Sequence, residues 1–280
     1  MSVTVTPLRP LVGAEISGVD LRNELSPEDA ATIVKTWLDR GVILLRGQNI
    51  DEHQQVRFSR LFGELIERPR PKEFRKEKDD AYNGYTMLVS NIRDEKGEPI
   101  GSLPDGEMHF HSDMSYIPTP SRATILYSIE VPKEGGDTVI ASTTAAYDAL
   151  DEDTKKLLAG RNALQGFMHG TTLREKNSLD KSASHPAVRV IPETGRKSLF
   201  ISHLMTFAIE GLPKEQSDAL LERLFRHMER PEFVYAHKWR PGDVLIWDNR
   251  STIHARTDFS RSERRLLRRF ATQGEAPVAA

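Results

Sequence analysis

The run HFHSDMSY, residues 109–116, places two histidines and an aspartate within five positions of a segment that otherwise reads as a strand. In a strand, residues two apart point to one face, about 6.6 to 7 Å apart, so His111 and Asp113 can lean onto a single ion at about 2 Å. His109 shares that face. A His-x-Asp pair alone is a weak signal, since an aspartate at a strand end commonly caps a turn. A third ligand would give it meaning. Two imidazoles and one carboxylate on one face of a divalent ion leave positions open for substrate and oxygen, the arrangement that non-haem iron oxygenases require. The chain has no cysteine, which excludes thiolate metal sites, disulfides and a cysteine nucleophile and leaves His, Asp and Glu as ligands.

The remaining histidines sort by context. His53 and His227 lie on helical stretches and His237 in a strand beside Lys238, the settings of exposed or satisfied structural histidines. His169, His185 and His203 have no carboxylate pattern nearby. His254 differs, because it follows GDVLIWDNRSTIH, an apolar strand that ends in Asp248, Asn249 and Arg250 before a short turn. Such strand ends present ligands at the mouth of a barrel. Further on, Arg265, Leu267 and Arg269 alternate with Arg264, Leu266, Arg268 and Phe270. Two arginines on a mostly inward face need buried or bound anions.

Many short elements must position these residues. LSPEDAATIVKTWLDRG predicts a helix with Ser26 as cap, Pro27 in the first turn and Gly41 as the stop. VILLRG (42–47) reads as a buried strand and DEHQQVRFSRLFG (51–63) as a second helix. Residues 67–107 are charged and interrupted only by TMLVSNI, which predicts a long insertion over the surface or the site. RATILYSIE, the PKEGGD turn and TVIAS follow as strand, turn and strand, then a helical stretch near 143–159. Residues 170–185 read as a polar, mobile segment. AVRVI, SLFIS, FVYAHKW, VLIWDN and RRLLRRFAT supply further strands, with a helix over PKEQSDALLERLFRHMER between them. The expected fold class is α+β, a sandwich or jelly roll with flanking helices rather than a doubly wound sheet.

At 280 residues the chain suits one domain, 1–280, with insertions. Its 39 Lys+Arg against 41 Asp+Glu and net charge of −2 give no bulk electrostatic reason for nucleic acid or an anionic membrane as partner. A small molecule is the expected partner, and a homo-oligomer is left open. The N-terminus lacks an apolar signal region, and no apolar run approaches the roughly 18 residues of a membrane span; a cytoplasmic protein is expected.

Taken together, these segments resemble the taurine dioxygenase and 2,4-dichlorophenoxyacetate dioxygenase family of iron(II)- and 2-oxoglutarate-dependent oxygenases. The resemblance runs from TPLRPLVGAEISGVDL through FHSDMSY, GGDT, AAYDAL and WDNRSTIHA to RRLLRR. It implies a double-stranded β-helix (jelly roll) core with a long active-site insertion, iron(II) held by His111, Asp113 and His254, and O2 with 2-oxoglutarate as cosubstrates. By the same resemblance Arg265 and Thr138 hold the far carboxylate of 2-oxoglutarate, and Arg269 meets a substrate anion. A planar guanidinium matches a carboxylate through two hydrogen bonds, which an ammonium cannot do, and a hydroxyl adds a neutral donor. The implied reaction is hydroxylation of a small organic acid, with release of succinate and CO2.

Departures from the family pattern concern the substrate. Where the taurine enzyme carries a substrate-binding histidine after FGEL, this chain reads IERPRP with Arg68 near the matching place, which argues against taurine itself. The residue before the proximal ligand is usually Trp and here is Phe110. His109 is either a pocket residue or a strand histidine bonded to a carbonyl, and Phe167 matches the place of a pocket aromatic, although an aromatic in an apolar strand belongs by default to the core. A metal-dependent hydrolase using the same His/Asp/His site is the alternative, but it has no need of Thr138, Arg265 and Arg269.

Overall fold

The computed structural model describes residues 3–67, 84–102, 106–166 and 181–280. The first helix, Pro27–Arg40, has the predicted ends: the Ser26 hydroxyl accepts from the Asp29 N–H, and Gly41, at φ 72°, donates its N–H to the Trp37 carbonyl. Its buried face carries Ile33 and Trp37. The second, Glu52–Ser59, starts at a capping box between Asp51 and Gln54 and tightens into a 3-10 turn over Arg60–Phe62.

Two antiparallel-rich sheets form the sandwich. The larger has the order Thr4–Pro7, Ala14–Ser17, Val42–Leu45, Val244–Asp248, Ala123–Glu130, Leu266–Ala271, Met87–Ser90, with one parallel pairing between Ala14–Ser17 and Val42–Leu45. The smaller has the order Val234–His237, Thr138–Ser142, Thr252–Arg256, Met108–His111. Alternation along each strand sends side chains to two different cores. Leu44, Leu126, Leu245, Trp247 and Leu267 of the larger sheet meet Ile140 and Tyr235 of the smaller. Ile43, Ile125, Ile246 and Phe270 face Ile33, Trp37 and Val56 of the first two helices. On the far side of the smaller sheet, Ala141 and Ile253 pack with Leu220, Leu221, Leu224 and Phe225, of which the last four belong to the helix Lys214–Met228. The jelly roll is therefore covered on both faces, which explains why its central strands read as continuous apolar runs.

Three sequence expectations change. The stretch near 143–159 is two helices, Thr143–Asp148 and Glu152–Leu158, the second restarted by Asp151, whose carboxylate accepts from the Thr154 N–H. Inside the long insertion, Met87–Ser90 is an edge strand of the larger sheet, paired with Leu266–Arg269. The segment read as mobile contains the strand Ser182–Pro186, paired with Asn162–Gly166, and His185 within it is buried, its Nε2 bonded to the Ile117 carbonyl at 3.0 Å. No described helix is long and apolar enough to cross a membrane.

Candidate active site

His111 ends the strand Met108–His111, and His254 lies in the neighbouring strand Thr252–Arg256, directly opposite it in the register. Opposed residues share a face, so both imidazoles enter the space between the sheets, with ring centroids 4.1 Å apart. Asp113 follows in the turn after the first strand. Its Oδ1 lies 3.9 Å from His111 Nε2 and 4.0 Å from His254 Nε2, each less than twice a metal–ligand bond of about 2.1 Å. Ligand atoms of these three residues all fall within 4.8 Å of one another, the one such group among the described residues. The His111 Nδ1 donates to the His109 carbonyl at 2.9 Å, which leaves the Nε2 lone pair for a metal.

The two oxygens of Asp113 have divided duties. While Oδ1 faces the imidazoles, Oδ2 accepts from Arg269 Nη2 and from Thr124 Oγ1, both at 2.6 Å. Thr124 is oriented in turn by Asn249 Nδ2 at 3.1 Å, and Asn249 by Trp247 Nε1 at 3.0 Å. Burial works against the Asp113 carboxylate, but the Arg269 charge, with the Thr124 hydroxyl hydrogen bond, outweighs it and holds the carboxyl well below the usual range. Burial pushes both His111 and His254 down, the Asp113 charge opposing it in each. The three groups are thus in the deprotonated forms a divalent metal needs.

Beyond the histidines lies a cavity whose polar lining includes Thr138, Arg256 and Arg265. Arg265 is 2% exposed, and burial together with Arg256 pushes its pKa down to about 9, so its guanidinium still carries charge at neutral pH. That charge is poorly met. Among the described residues Nε has no hydrogen-bond partner, and Nη2 reaches the Gly136 carbonyl only at 3.5 Å. The Gly135-Gly136 turn allows this close approach: a Cβ on Gly135 would stand 2.3 Å from the Asp258 carbonyl oxygen, and one on Gly136 would stand 3.3 Å from Arg265 Nε, both at positive φ. A buried fork of donors met by one long carbonyl contact, with Nε unpartnered among the described residues, fits a carboxylate that comes from a ligand, as the fit of 2-oxoglutarate requires.

The sequence-predicted residues divide accordingly. His111, Asp113 and His254 converge, and Thr138, Arg265 and Arg269 line the same cavity. His109 turns elsewhere: its ring stacks on His203 at 4.9 Å, which stacks on Phe225 at 5.0 Å. Phe110 packs against the core on the helix side of the smaller sheet. Arg68 and Phe167 lie outside the described residues. The structure adds Thr124, Asn249, Trp247 and Arg256. Of these, only Asn249 carried a sequence signal, in the polar residues that end an apolar strand.

Comparison with known proteins agrees with this geometry. Residues 4–270 match the family described as "Taurine catabolism dioxygenase TauD, TfdA family". The alpha-ketoglutarate-dependent 2,4-dichlorophenoxyacetate dioxygenase of Cupriavidus pinatubonensis (strain JMP 134 / LMG 1197) is 32% identical over 291 residues, covering 99% of this chain and 100% of that protein. The alpha-ketoglutarate-dependent sulfate ester dioxygenase of Pseudomonas putida is 30% identical, covering 99% and 92%. A crystal structure of a taurine dioxygenase from Burkholderia xenovorans superposes with a TM-score of 0.84 at 30% identity, covering 100% of this chain and 92% of that one. The chain therefore belongs to the TauD, TfdA family of dioxygenases, whose cofactors are iron(II), 2-oxoglutarate and O2.

Proposed function

We propose that this chain hydroxylates a small organic anion, with iron(II) on His111, Asp113 and His254, and with the far carboxylate of 2-oxoglutarate held by Arg265 and Thr138. The observation that carries the reading is the buried guanidinium of Arg265, whose Nε has no partner among the described residues, in the cavity that also holds His111, Asp113 and His254. Bound iron(II) with 2-oxoglutarate and O2 would supply the chemistry: O2 is the oxidant, one of its atoms entering a substrate C–H bond and the other entering succinate as 2-oxoglutarate is oxidised and loses CO2. The protein's part is placement. His111 and His254 offer neutral nitrogen atoms, Asp113 offers one oxygen because Arg269 and Thr124 occupy the other, and the apolar walls formed by Val89, Leu126 and Trp247 limit water. Treating residues 1–280 as one catalytic domain is supported by a cavity lined from Val89 to Arg269.

Substrate charge follows from the same inventory. Arg265 and Arg269 line the cavity with Asp113, the one carboxylate there among the described residues; Arg269 is paired with Asp113, and the remaining charge of Arg265 favours anions. Two relatives carry names that specify phenoxyacetate and sulfate ester substrates, both anionic. Arg269 is the residue we assign to the substrate anion, since it already borders the metal-ligating carboxylate. These relatives do not favour a hydrolase. The test is 2-oxoglutarate-dependent succinate formation together with oxygen uptake for matched acids and their amides or methyl esters, in wild type and Arg269→Leu. The expected result is coupled turnover of acids that the variant loses; equal turnover of neutral partners would remove the anion site, and absence of succinate would remove the reaction.

A further inference from the structure

Thr138 opens its strand with a buried side chain, and its register places it between His237 on one side and Arg256 on the other. Two residues beyond His237, Trp239 returns toward it, and the indole Nε1 donates to Thr138 Oγ1 at 3.1 Å. An indole N–H can only donate, whereas a hydroxyl carries one proton and two lone pairs. With a lone pair committed to Trp239, the Thr138 proton must point elsewhere, and among the described residues no acceptor takes it. Of the two directions that remain, one is the cavity that Thr138 lines with Arg265, where a ligand oxygen can take the proton.

The indole itself is held firmly. Trp239 sits in the core between the sheets and meets the His237 ring edge-on at 4.5 Å and 85°. His237 is fully buried, with Nδ1 3.0 Å from the Tyr235 hydroxyl and Nε2 3.1 Å from Asp243 Oδ2. Asp243 is fixed by Arg46 at 2.8 Å and by the Arg240 N–H at 2.9 Å.

We propose that Trp239 is a positioning residue that sets the Thr138 hydroxyl as a donor, so that this end of the cavity offers donors alone and selects an ionised carboxylate over a carboxamide. The inference rests on the 2-oxoglutarate reading above. A carboxylate accepts from Thr138 and Arg265 together, whereas the NH2 of an amide would set donor against donor. Without the indole, the Thr138 hydroxyl is free to turn and accept from an amide.

The test is anaerobic calorimetric binding of 2-oxoglutarate and of its 5-amide to the Mn(II)-loaded protein. Trp239→Phe removes the N–H; replacement by 3-benzothienylalanine removes it with the ring shape kept, should phenylalanine leave a void. Either should weaken 2-oxoglutarate binding about five- to tenfold, within the worth of one hydrogen bond to a charged group, and narrow the carboxylate-to-amide ratio by at least as much, while Mn(II) affinity stays at the wild-type value. Thr138→Val should cause a similar loss, and the double variant should lose no more than Thr138→Val alone. A wild-type ratio in the benzothienyl protein, or losses that add in the double variant, overturns the inference. Arg265→Met separates the two levels: if it leaves 2-oxoglutarate binding unchanged, the underlying reading fails; if it weakens binding while the indole replacements do not, only the role of Trp239 fails.

Discussion

Arg265→Met is the sharpest perturbation, because the structure predicts opposite effects on ligand binding and on the stability of the unliganded protein. The methionine keeps much of the buried stem and removes the charge. In the liganded state a carboxylate then faces an apolar wall; removing one partner of a buried charged pair costs about 2 to 5 kcal/mol, or about 30- to 4,000-fold in Kd at roughly 1.4 kcal/mol per decade. Without ligand, the wild-type guanidinium is buried with Nε unpartnered and its pKa pushed down to about 9, so losing it removes a desolvation cost and the melting temperature should hold or rise. Arg250→Met is the contrast. Arg250 pairs with Asp248 at 3.0 Å and with Glu193 at 2.9 Å, and its loss leaves a fully buried aspartate uncompensated, so that variant should melt markedly lower. Arg265→Lys restores charge without the planar fork and should fall between wild type and Met in affinity. The assay is anaerobic titration of 2-oxoglutarate into the metal-loaded proteins, with thermal melts of the metal-free forms. Wild-type affinity in Arg265→Met, or a melting loss matching that of Arg250→Met, would refute the reasoning.

Other outcomes follow from the same contacts. His111→Ala, Asp113→Ala and His254→Ala should each lose iron and turnover, as read by metal content and succinate yield, whereas His237→Ala should keep iron while melting lower, because His237 packs between Tyr235, Trp239 and Asp243. Gly135→Ala should lower stability by at least about 1 to 2 kcal/mol from its positive φ alone, and weaken 2-oxoglutarate binding, since the added carbon meets the Asp258 carbonyl; a urea melt and the ligand titration read both. For Glu193, burial raises the carboxyl pKa but Arg250 lowers it further, leaving it below the usual value of 4.5. A depressed folded pKa stabilises above the unfolded value and loses that contribution as pH falls through the folded one, so the stability gap between wild type and Glu193→Gln should be flat near neutrality and shrink below about pH 4.5; a gap independent of pH would exclude this assignment.

What the sequence disclosed and what it hid have a common cause. His111 and Asp113 are neighbours in the chain, and Arg265, just ahead of the strand Leu266–Ala271, alternates with Leu267 and Arg269, so local spacing exposed both groups. Thr124 and Trp239 are ordinary residues in apolar surroundings, and their roles arise only because distant strands set Thr124 against Asp113 and Trp239 against Thr138. His237 read as a structural histidine, which its bond to Tyr235 supports, but nothing local indicated that it buttresses the indole. The strand Ser182–Pro186, SASHP, is polar in type and became strand through pairing with Asn162–Gly166, a case of tertiary context overriding propensity.

The larger sheet alternates early and late parts of the chain. Val244–Asp248 fills the space between Val42–Leu45 and Ala123–Glu130, and Leu266–Ala271 the space between Ala123–Glu130 and Met87–Ser90. Until those last strands are synthesised, three earlier ones stand as separate edges, apolar and with unpaired backbone groups, the condition in which chains aggregate. Folding must then wait for pairings of long sequence separation, which are slow to form. A C-terminal truncation before Leu266 should therefore yield insoluble protein rather than a folded enzyme lacking only its arginines.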